Sequence, residues 1–213
     1  MAKTRTPAKT DAADFAAMIA RAAGDRNAGT DGLPPVERWN PPYCGEIDME
    51  IRSDGTWHYM GTPIGRMPLV RLFSTVLRRD DDGRTYLVTP VEKLGIRVAD
   101  APFLAVEMTV TEAKGYLALV FRTNVGDLVT ADAEHPLRFA IAEDTGALKP
   151  YVQVRGRLEA LVSRAVTHDL MALGEEVLID GMPMFAIRSA GAVFAVMPMA
   201  ALADPDDVSG GTL

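Results

Sequence analysis

The residues best suited to chemistry lie in one short segment of alternating character, residues 151–157. Its polar members, which alternate with Val152 and Val154, are Tyr151, Gln153, Arg155 and Arg157. Alternate residues of a β-strand point to the same face of a sheet, so the pattern predicts a face that carries two guanidinium groups. Guanidinium groups bind carboxylate or phosphate through paired hydrogen bonds. The alternative interpretation is a solvated face whose arginines pair with carboxylates of a neighbouring strand.

Five further residues extend the predicted anion site: Arg66, Lys93, Asn124, His135 and Arg138. Arg138 lies on the outward face of a predicted neighbouring strand. Lys93 closes the segment 89–93, where we expect a boundary between two structural units, and clefts between units are common ligand sites. Asn124 offers an amide to a polar ligand, although a turn residue is the simpler interpretation of this position alone.

Metal chemistry centred on His135 is a second hypothesis, in which a metal-assisted hydrolase also uses Asp127 and Asp132. The alternative is a loop histidine that hydrogen-bonds the backbone. The three histidines have no helical i, i+4 spacing, and Cys44 is the single cysteine. A closed metal site is therefore hard to assemble and an internal disulfide is impossible, so we expect neither a metal nor a cofactor.

The common catalytic motifs are missing from this chain: the P-loop, the G-x-G-x-x-G loop, the G-x-S-x-G elbow and the H-E-x-x-H zinc motif. Their absence favours a ligand-binding or regulatory protein over an enzyme. The formal net charge of −7 disfavours general nucleic-acid binding, because an acidic protein repels phosphate backbones. No apolar run approaches the ~20 residues of a membrane helix, and the N-terminus lacks the apolar core of a signal peptide. We therefore expect a cytoplasmic protein.

The elements that position these residues follow from apolar spacing. Residues 1–33 are predicted to be a disordered or weakly helical extension, and deletion of residues 1–30 is expected to leave folding intact. Residues 34–90 are predicted to form a hairpin–helix–strand unit. Its first strand covers residues 46–52, and Asp54-Gly55 is a hairpin turn. The helix that follows has one broad apolar face, and Arg71, Arg78 and Arg79 lie off that face.

A strand-rich second unit is predicted over residues 91–200. Its strands are separated by turns rich in Gly, Asp and Asn, and one helix is predicted over about 157–173. Residues 201–213 are predicted to be a disordered tail. Short turns between strands give antiparallel sheets, and the helices do not alternate with strands as in parallel α/β folds. The predicted fold class is therefore α+β, in two parts and mostly antiparallel.

Short motifs run in a fixed order from about Pro34 to Pro198. They are Trp57 and Tyr59, Pro63-Ile64-x-Arg66, Leu69-Val70-x-Leu72-Phe73, Thr89-Pro90-Val91-Glu92-Lys93, Ala101-Pro102-Phe103, Thr123-Asn124-Val125-Gly126-Asp127, His135-Pro136-Leu137-Arg138 and Pro150-Tyr151-Val152-x-Val154-Arg155-Gly156. As an ordered set they resemble the bacterial domain of unknown function 1285 family (DUF1285). The resemblance implies a two-part α+β fold with an internal structural duplication. It also implies a C-terminal part similar to a pleckstrin-homology-type barrel, and a nucleotide-like ligand between the parts in a signalling role.

Three functional hypotheses follow from the residues and the resemblance. The first is a binding or sensor protein that takes a small anionic or nucleotide-like molecule in a cleft between residues 34–90 and 91–200. The second is the metal-assisted hydrolase centred on His135. The third is a protein-interaction module that uses the strand-rich unit as a docking surface.

Overall fold

The structure, a computed structural model, describes residues 12–23, 32–113 and 115–202. The rest of the expected N-terminal extension and C-terminal tail lies outside these described residues. No helix in the described part of the chain combines the length and the apolar character needed to cross a membrane.

Two compact units divide the chain. The first comprises residues 1–103 and 155–158, and the second comprises residues 104–154 and 159–213. The strand Lys93–Val98 belongs to the sheet of the first unit. The first unit therefore extends past residue 90, where the sequence pattern placed its end.

A six-stranded sheet is the frame of the first unit. Its strands are β1 (Tyr43–Ile51), β2 (Trp57–Tyr59), β3 (Thr62–Pro63), β4 (Leu77–Arg79), β5 (Thr85–Val88) and β6 (Lys93–Val98). Their spatial order is β3-β2-β1-β6-β5-β4, and β1 and β6 form a parallel pair among antiparallel ones. The predicted first strand and its hairpin are confirmed, because Met49 and Ile51 are fully buried and Ile51 pairs with Trp57 across the turn.

Helix α2 (Met67–Thr75) packs its apolar face into this unit. Val70 and Phe73 are buried while Arg71 is exposed, so the predicted helix phase is confirmed. The helix ends sooner than the apolar pattern suggested, and the chain enters β4. The expectation that Arg78 is exposed is wrong, since Arg78 lies in β4 and is only 8% exposed. Because Arg78 lies in a strand, helical spacing does not determine which way its side chain faces.

Helix α1 (Ala12–Ala23) is attached more firmly than the sequence suggested. Phe15 and Ile19 are buried. The Phe15 ring stacks on Tyr59 at a centroid distance of 5.9 Å and lies 5.7 Å from the Phe73 ring. The apolar stripe of α1 is short and alanine-rich, so the sequence pattern alone understates how well one aromatic side chain anchors it.

The second unit contains two sheets. The larger has β7 (Phe103–Ala113), β8 (Tyr116–Thr123), β9 (Leu128–Thr130), β10 (Leu137–Ile141), β11 (Leu148–Arg155) and β12 (Leu158–Val162), in the order β10-β11-β12-β7-β8-β9. The smaller is an antiparallel meander of β13 (Glu175–Ile179), β14 (Met182–Ser189) and β15 (Ala192–Pro198). Each unit thus has its own six-stranded sheet, in keeping with the expected duplication. The described chain is mostly β with few helices, whereas the predicted class was α+β.

The predicted helix over residues 157–173 is wrong in its first part. Residues 158–162 form β12, and helix α3 (Arg164–Met171) begins only after Ser163. The apolar residues in this segment fit a helical stripe, which is why a helix was predicted. Burial instead follows the two-residue period of a strand, because Leu158, Ala160 and Val162 are the buried positions.

Candidate functional site

Arg138, one of the predicted anion-binding residues, is engaged by other side chains of the second unit. Its Nε and Nη2 donate to the two carboxylate oxygens of Glu159, each at 2.8 Å, and these bonds raise the pKa of Arg138. The guanidinium also lies 4.0 Å from the centre of the Tyr151 ring, which it faces in register across β10 and β11. This geometry matches the solvated-face interpretation, in which a neighbouring carboxylate takes the place of a ligand.

Arg155 and Arg157 also have protein partners, within the first unit. Arg155 Nη2 donates to the carbonyl of Ser74 at 2.8 Å, near the C-terminal end of α2, and its guanidinium lies 4.8 Å from the centre of the Phe103 ring. A cation at this end of a helix is favourable because the last carbonyl groups carry partial negative charge. Arg157 pairs with Asp81. The Arg155 contact is part-buried and stabilises the fold of this unit, whereas the exposed Arg157–Asp81 pair contributes little.

Lys93 belongs to a compact polar network in the first unit. Its Nζ donates to Asp80 Oδ2 at 2.7 Å and lies 4.5 Å from the centre of the Tyr86 ring. Asp80 accepts a second hydrogen bond, at 2.6 Å, from Arg78 Nε. Burial works against the charged form of Asp80, but the hydrogen bonds from Arg78 and Lys93 outweigh it and lower the pKa of this carboxyl. Lys93 is therefore the counter-ion of Asp80 within this network.

Asn124, His135 and Arg66 complete the predicted set. Asn124 Oδ1 accepts the backbone N–H of Leu104 at 3.1 Å, which is a turn-stabilising contact. His135 Nδ1 lies 3.3 Å from Asp132 Oδ1, and Arg66 is an exposed residue just before α2. Within the described ranges, no three or more His, Cys, Asp and Glu side chains are grouped so that they could hold a metal ion. The hydrolase hypothesis thus gains no metal centre from these residues.

A pocket of about 300 Å³ lies in the first unit, at the end of its sheet where β5 begins and β6 ends. Its polar lining comes from Glu46, Arg79, Arg84, Thr85, Arg97 and Asp100. Three guanidinium groups meet two carboxylates there, so arginines outnumber carboxylates in the lining. We call this site the arginine pocket.

Aromatic rings hold Arg84 in the arginine pocket. Its guanidinium carbon lies 5.8 Å from the centre of the Tyr43 ring and 5.5 Å from that of Tyr86. The two rings contact each other edge-on. The Tyr86 hydroxyl donates to Asp82 at 2.5 Å, and this bond raises the pKa of Tyr86 and fixes its ring. Ring contacts orient a guanidinium without consuming its N–H groups.

The three arginines keep most of their donors for a ligand. Arg79 Nε donates to the carbonyl of Gly83 at 3.1 Å, and Arg97 Nη2 donates to Asp48 at 2.6 Å. Arg84 Nη2 pairs with Glu46. Each guanidinium carries five N–H groups. Among the described residues, each of these three guanidinium groups has one hydrogen-bond or ion-pair partner. The arrangement can therefore accept the oxygens of a phosphate or carboxylate through charge-assisted hydrogen bonds.

The sequence contained part of the signal for this pocket. Arg79 and Arg84 flank the turn at residues 80–83, and a tight turn brings the residues on either side of it together. The predicted helix hid this relationship, because it placed Arg79 on a helix surface. Arg97 is brought in by the antiparallel pairing of Thr85 with Ile96. That register is not readable from the spacing of apolar residues.

A second cavity of about 470 Å³ also lies in the first unit, beside the Asp80–Asp82 turn. Its charged lining consists of Glu37, Arg38, Arg78, Asp80, Asp81, Asp82 and Arg157. Carboxylates outnumber arginines there. This cavity is therefore a poorer site for an anion than the arginine pocket.

These features define a two-unit, sheet-based protein with a basic pocket in its first unit. The chain belongs to the family of the domain of unknown function DUF1285. The model of the N-terminal domain of that family matches residues 34–101, and the model of its C-terminal domain matches residues 102–196. The family resemblance inferred from the ordered motifs is thus confirmed.

Two solved structures are similar to this chain. A DUF1285 family protein from Silicibacter pomeroyi DSS-3, determined at 2.50 Å resolution, is 44% identical with a TM-score of 0.77, and the match covers 92% of this chain and 99% of that one. A DUF1285 family protein from Shewanella baltica OS155, determined at 1.40 Å resolution, is 27% identical with a TM-score of 0.45, and the match covers 57% of this chain and 87% of that one. No curated protein matches.

Proposed function

We propose that this protein binds a small anionic ligand in the arginine pocket of its first unit, and that it is a binding or regulatory protein rather than an enzyme. The observation that carries the proposal is the meeting of Arg79, Arg84 and Arg97 at one concave site. Each of these guanidinium groups retains N–H donors after its protein contact is counted. Such donors, held in a partly enclosed site, favour anion binding.

The volume of the pocket supports a narrow class of ligands. About 300 Å³ is at the lower end of the range for ligand sites, so it suits a phosphate-type group with a small body attached. The chain as a whole has a formal net charge of −7. A pocket rich in arginine attracts anions locally even in an acidic protein, whereas long polyanions such as nucleic acids are repelled by the rest of the surface.

The residues described around the pocket support binding over catalysis. They include no His, Cys, Ser or Lys, so they offer no nucleophile with a base beside it. Thr85 carries the one hydroxyl of the lining and is buried within β5. Glu46 is a carboxylate, but it is paired with Arg84.

Finer expectations belong to the same proposal. Those from the family resemblance are a nucleotide-like ligand, a role in signalling and a pleckstrin-homology-type barrel in the second unit. A cytoplasmic location is the expectation from the sequence pattern. The diphosphate group of a nucleoside diphosphate carries negative charge that three arginines can bind. Nucleotides are therefore included among the test ligands.

A thermal-shift screen tests the proposal. Wild-type protein is heated with phosphate, pyrophosphate, ADP and small dicarboxylates, and at least one phosphate-type anion is expected to raise the melting temperature. Arg84→Ala should remove most of that stabilisation, because losing one charge-assisted contact of about 1.5–3 kcal/mol weakens binding roughly ten- to a hundredfold. The unliganded variant should melt close to the wild type, since the Arg84 side chain is half-exposed.

Arg122→Ala is the matched control for this screen. Arg122 pairs with Glu107, and these side chains are 48% and 52% exposed, against 47% and 52% for Arg84 and Glu46. Arg122 lies outside the arginine pocket, so its removal should leave ligand stabilisation unchanged. An equal loss in both variants, or no stabilisation of the wild type by any anion, would contradict the proposal.

A further inference from the structure

Glu46 is the counter-ion of Arg84 in the arginine pocket. Its carboxylate pairs with Arg84 Nη2, and the Tyr43 hydroxyl donates to Glu46 Oε1 at 3.4 Å. Gly95 lies against this pair from the adjoining strand: a Cβ there would come within 3.2 Å of Arg84 Nη2 and 3.3 Å of Glu46 Oε1. A side chain at this position would therefore crowd the pair, and glycine leaves it room.

The backbone around Glu46 departs from regular pairing. β1 and β6 are in register at Glu46 and Gly95, but the register shifts on both sides of this point, towards Tyr43 and towards Glu50. Bulges of this kind redirect a side chain relative to its strand. Here the irregularity accompanies a carboxylate that is directed at a pocket arginine.

The two members of this ion pair are fixed to different degrees. The Glu46 and Arg84 side chains are 52% and 47% exposed, and exposed ion pairs contribute little free energy. Arg84 is additionally held by the rings of Tyr43 and Tyr86. Arg84 can thus stay in place when the carboxylate of Glu46 moves away.

We propose that Glu46 is a displaceable internal counter-ion, which occupies Arg84 in the empty pocket and is replaced there by the anionic group of the ligand. This inference rests on the proposed function, because it requires an anion that binds the arginine pocket. Because Glu46 is part of the same chain, its carboxylate competes with a ligand for Arg84 at a high effective concentration. A ligand with one carboxylate therefore gains little from the exchange, whereas a phosphate-type dianion gains further contacts with Arg79 and Arg97. The site should select phosphate esters and pyrophosphates over monocarboxylates.

Calorimetric titration of the full chain with pyrophosphate and with acetate tests the inference. Glu46→Gln should bind pyrophosphate about three- to tenfold more tightly than the wild type, because a competing charge is gone while the side chain keeps its size. Glu107→Gln removes an equally exposed carboxylate from the Glu107–Arg122 pair and should bind like the wild type. The wild type should bind pyrophosphate at least tenfold more tightly than acetate. Circular dichroism and urea midpoints of both variants check that they are folded.

The outcomes separate this inference from the proposed function. Unchanged or weaker pyrophosphate binding by Glu46→Gln, with binding lost in Arg84→Ala, would overturn the displacement while leaving the anion site intact. Weaker binding would indicate that Glu46 orients Arg84 instead of competing for it. Acetate binding as tight as pyrophosphate binding would overturn the selectivity. If neither the wild type nor Glu46→Gln binds pyrophosphate, both the function and the inference fail.

Discussion

Arg78 Nη1 donates to the main-chain carbonyl of Trp39 at 2.7 Å and to that of Val36 at 2.8 Å. These two acceptors belong to a short 3₁₀ turn, Val36–Arg38, and the residue that ends it. The same guanidinium holds Asp80. One buried side chain therefore fastens the beginning of the family-matched segment to β4, at the edge of the first sheet.

Arg78→Ala is expected to destabilise the protein by about 2–4 kcal/mol, because it leaves two backbone carbonyls without their donor and removes one of the two side chains that donate to Asp80. Arg71→Ala, on the exposed side of α2, is the control and should cost less than ~0.5 kcal/mol. Urea denaturation measures both. Equal midpoints for the two variants would show that the Arg78 contacts contribute nothing to folding.

Phe15→Ala is expected to cost about 2–4 kcal/mol, since it empties the position that packs on Tyr59 and Phe73. Deleting residues 1–30 should also lower the melting temperature by several degrees, against the expectation from the sequence pattern alone. Ala17→Ser changes an exposed position on the same helix and should cost no more than about 0.5 kcal/mol. A truncated chain as stable as the full one would mean that α1 does not pack on the first unit.

Acid stability should depend on Asp80. The hydrogen bonds from Arg78 and Lys93 hold the pKa of Asp80 below its ordinary value of 3.8. A carboxyl with a lowered pKa in the folded state contributes stability above its unfolded pKa and loses it as the pH falls through the folded value. The difference in unfolding free energy between the wild type and Asp80→Asn should thus be constant near neutral pH and shrink below about pH 4. A constant difference down to pH 2 would contradict this account.

The spacing of apolar and polar residues predicted those strands and helices whose buried face depends on that spacing alone. The alternation of Met49 and Ile51 with charged residues fixes β1, and the buried Val70 and Phe73 confirm the phase of α2. The segment around Leu158 carries apolar residues that fit both a strand and a helix, so only tertiary packing decides between them. The burial of Phe15 is also not predictable from local spacing, because the rings that contact it belong to elements far away in the sequence.

The sequence predicted a cluster of guanidinium groups but not which arginines form the arginine pocket. The sequence indicated guanidinium groups that grip an anion and pointed to Arg138 and Arg155. The structure gives those two groups protein partners, Glu159 and the Ser74 carbonyl. Arg97 and Arg84 meet through strand register and a turn, and pairing of this kind is not encoded in the spacing of single residues.

A crystal structure of the protein grown with pyrophosphate tests the central claim most directly. The account predicts electron density for the anion in the arginine pocket, with its oxygens within hydrogen-bond distance of Arg79, Arg84 and Arg97. The carboxylate of Glu46 should then be turned away from Arg84. Pyrophosphate bound elsewhere on the chain while these three arginines contact only protein groups, or a pocket left empty at saturating ligand, would contradict the account.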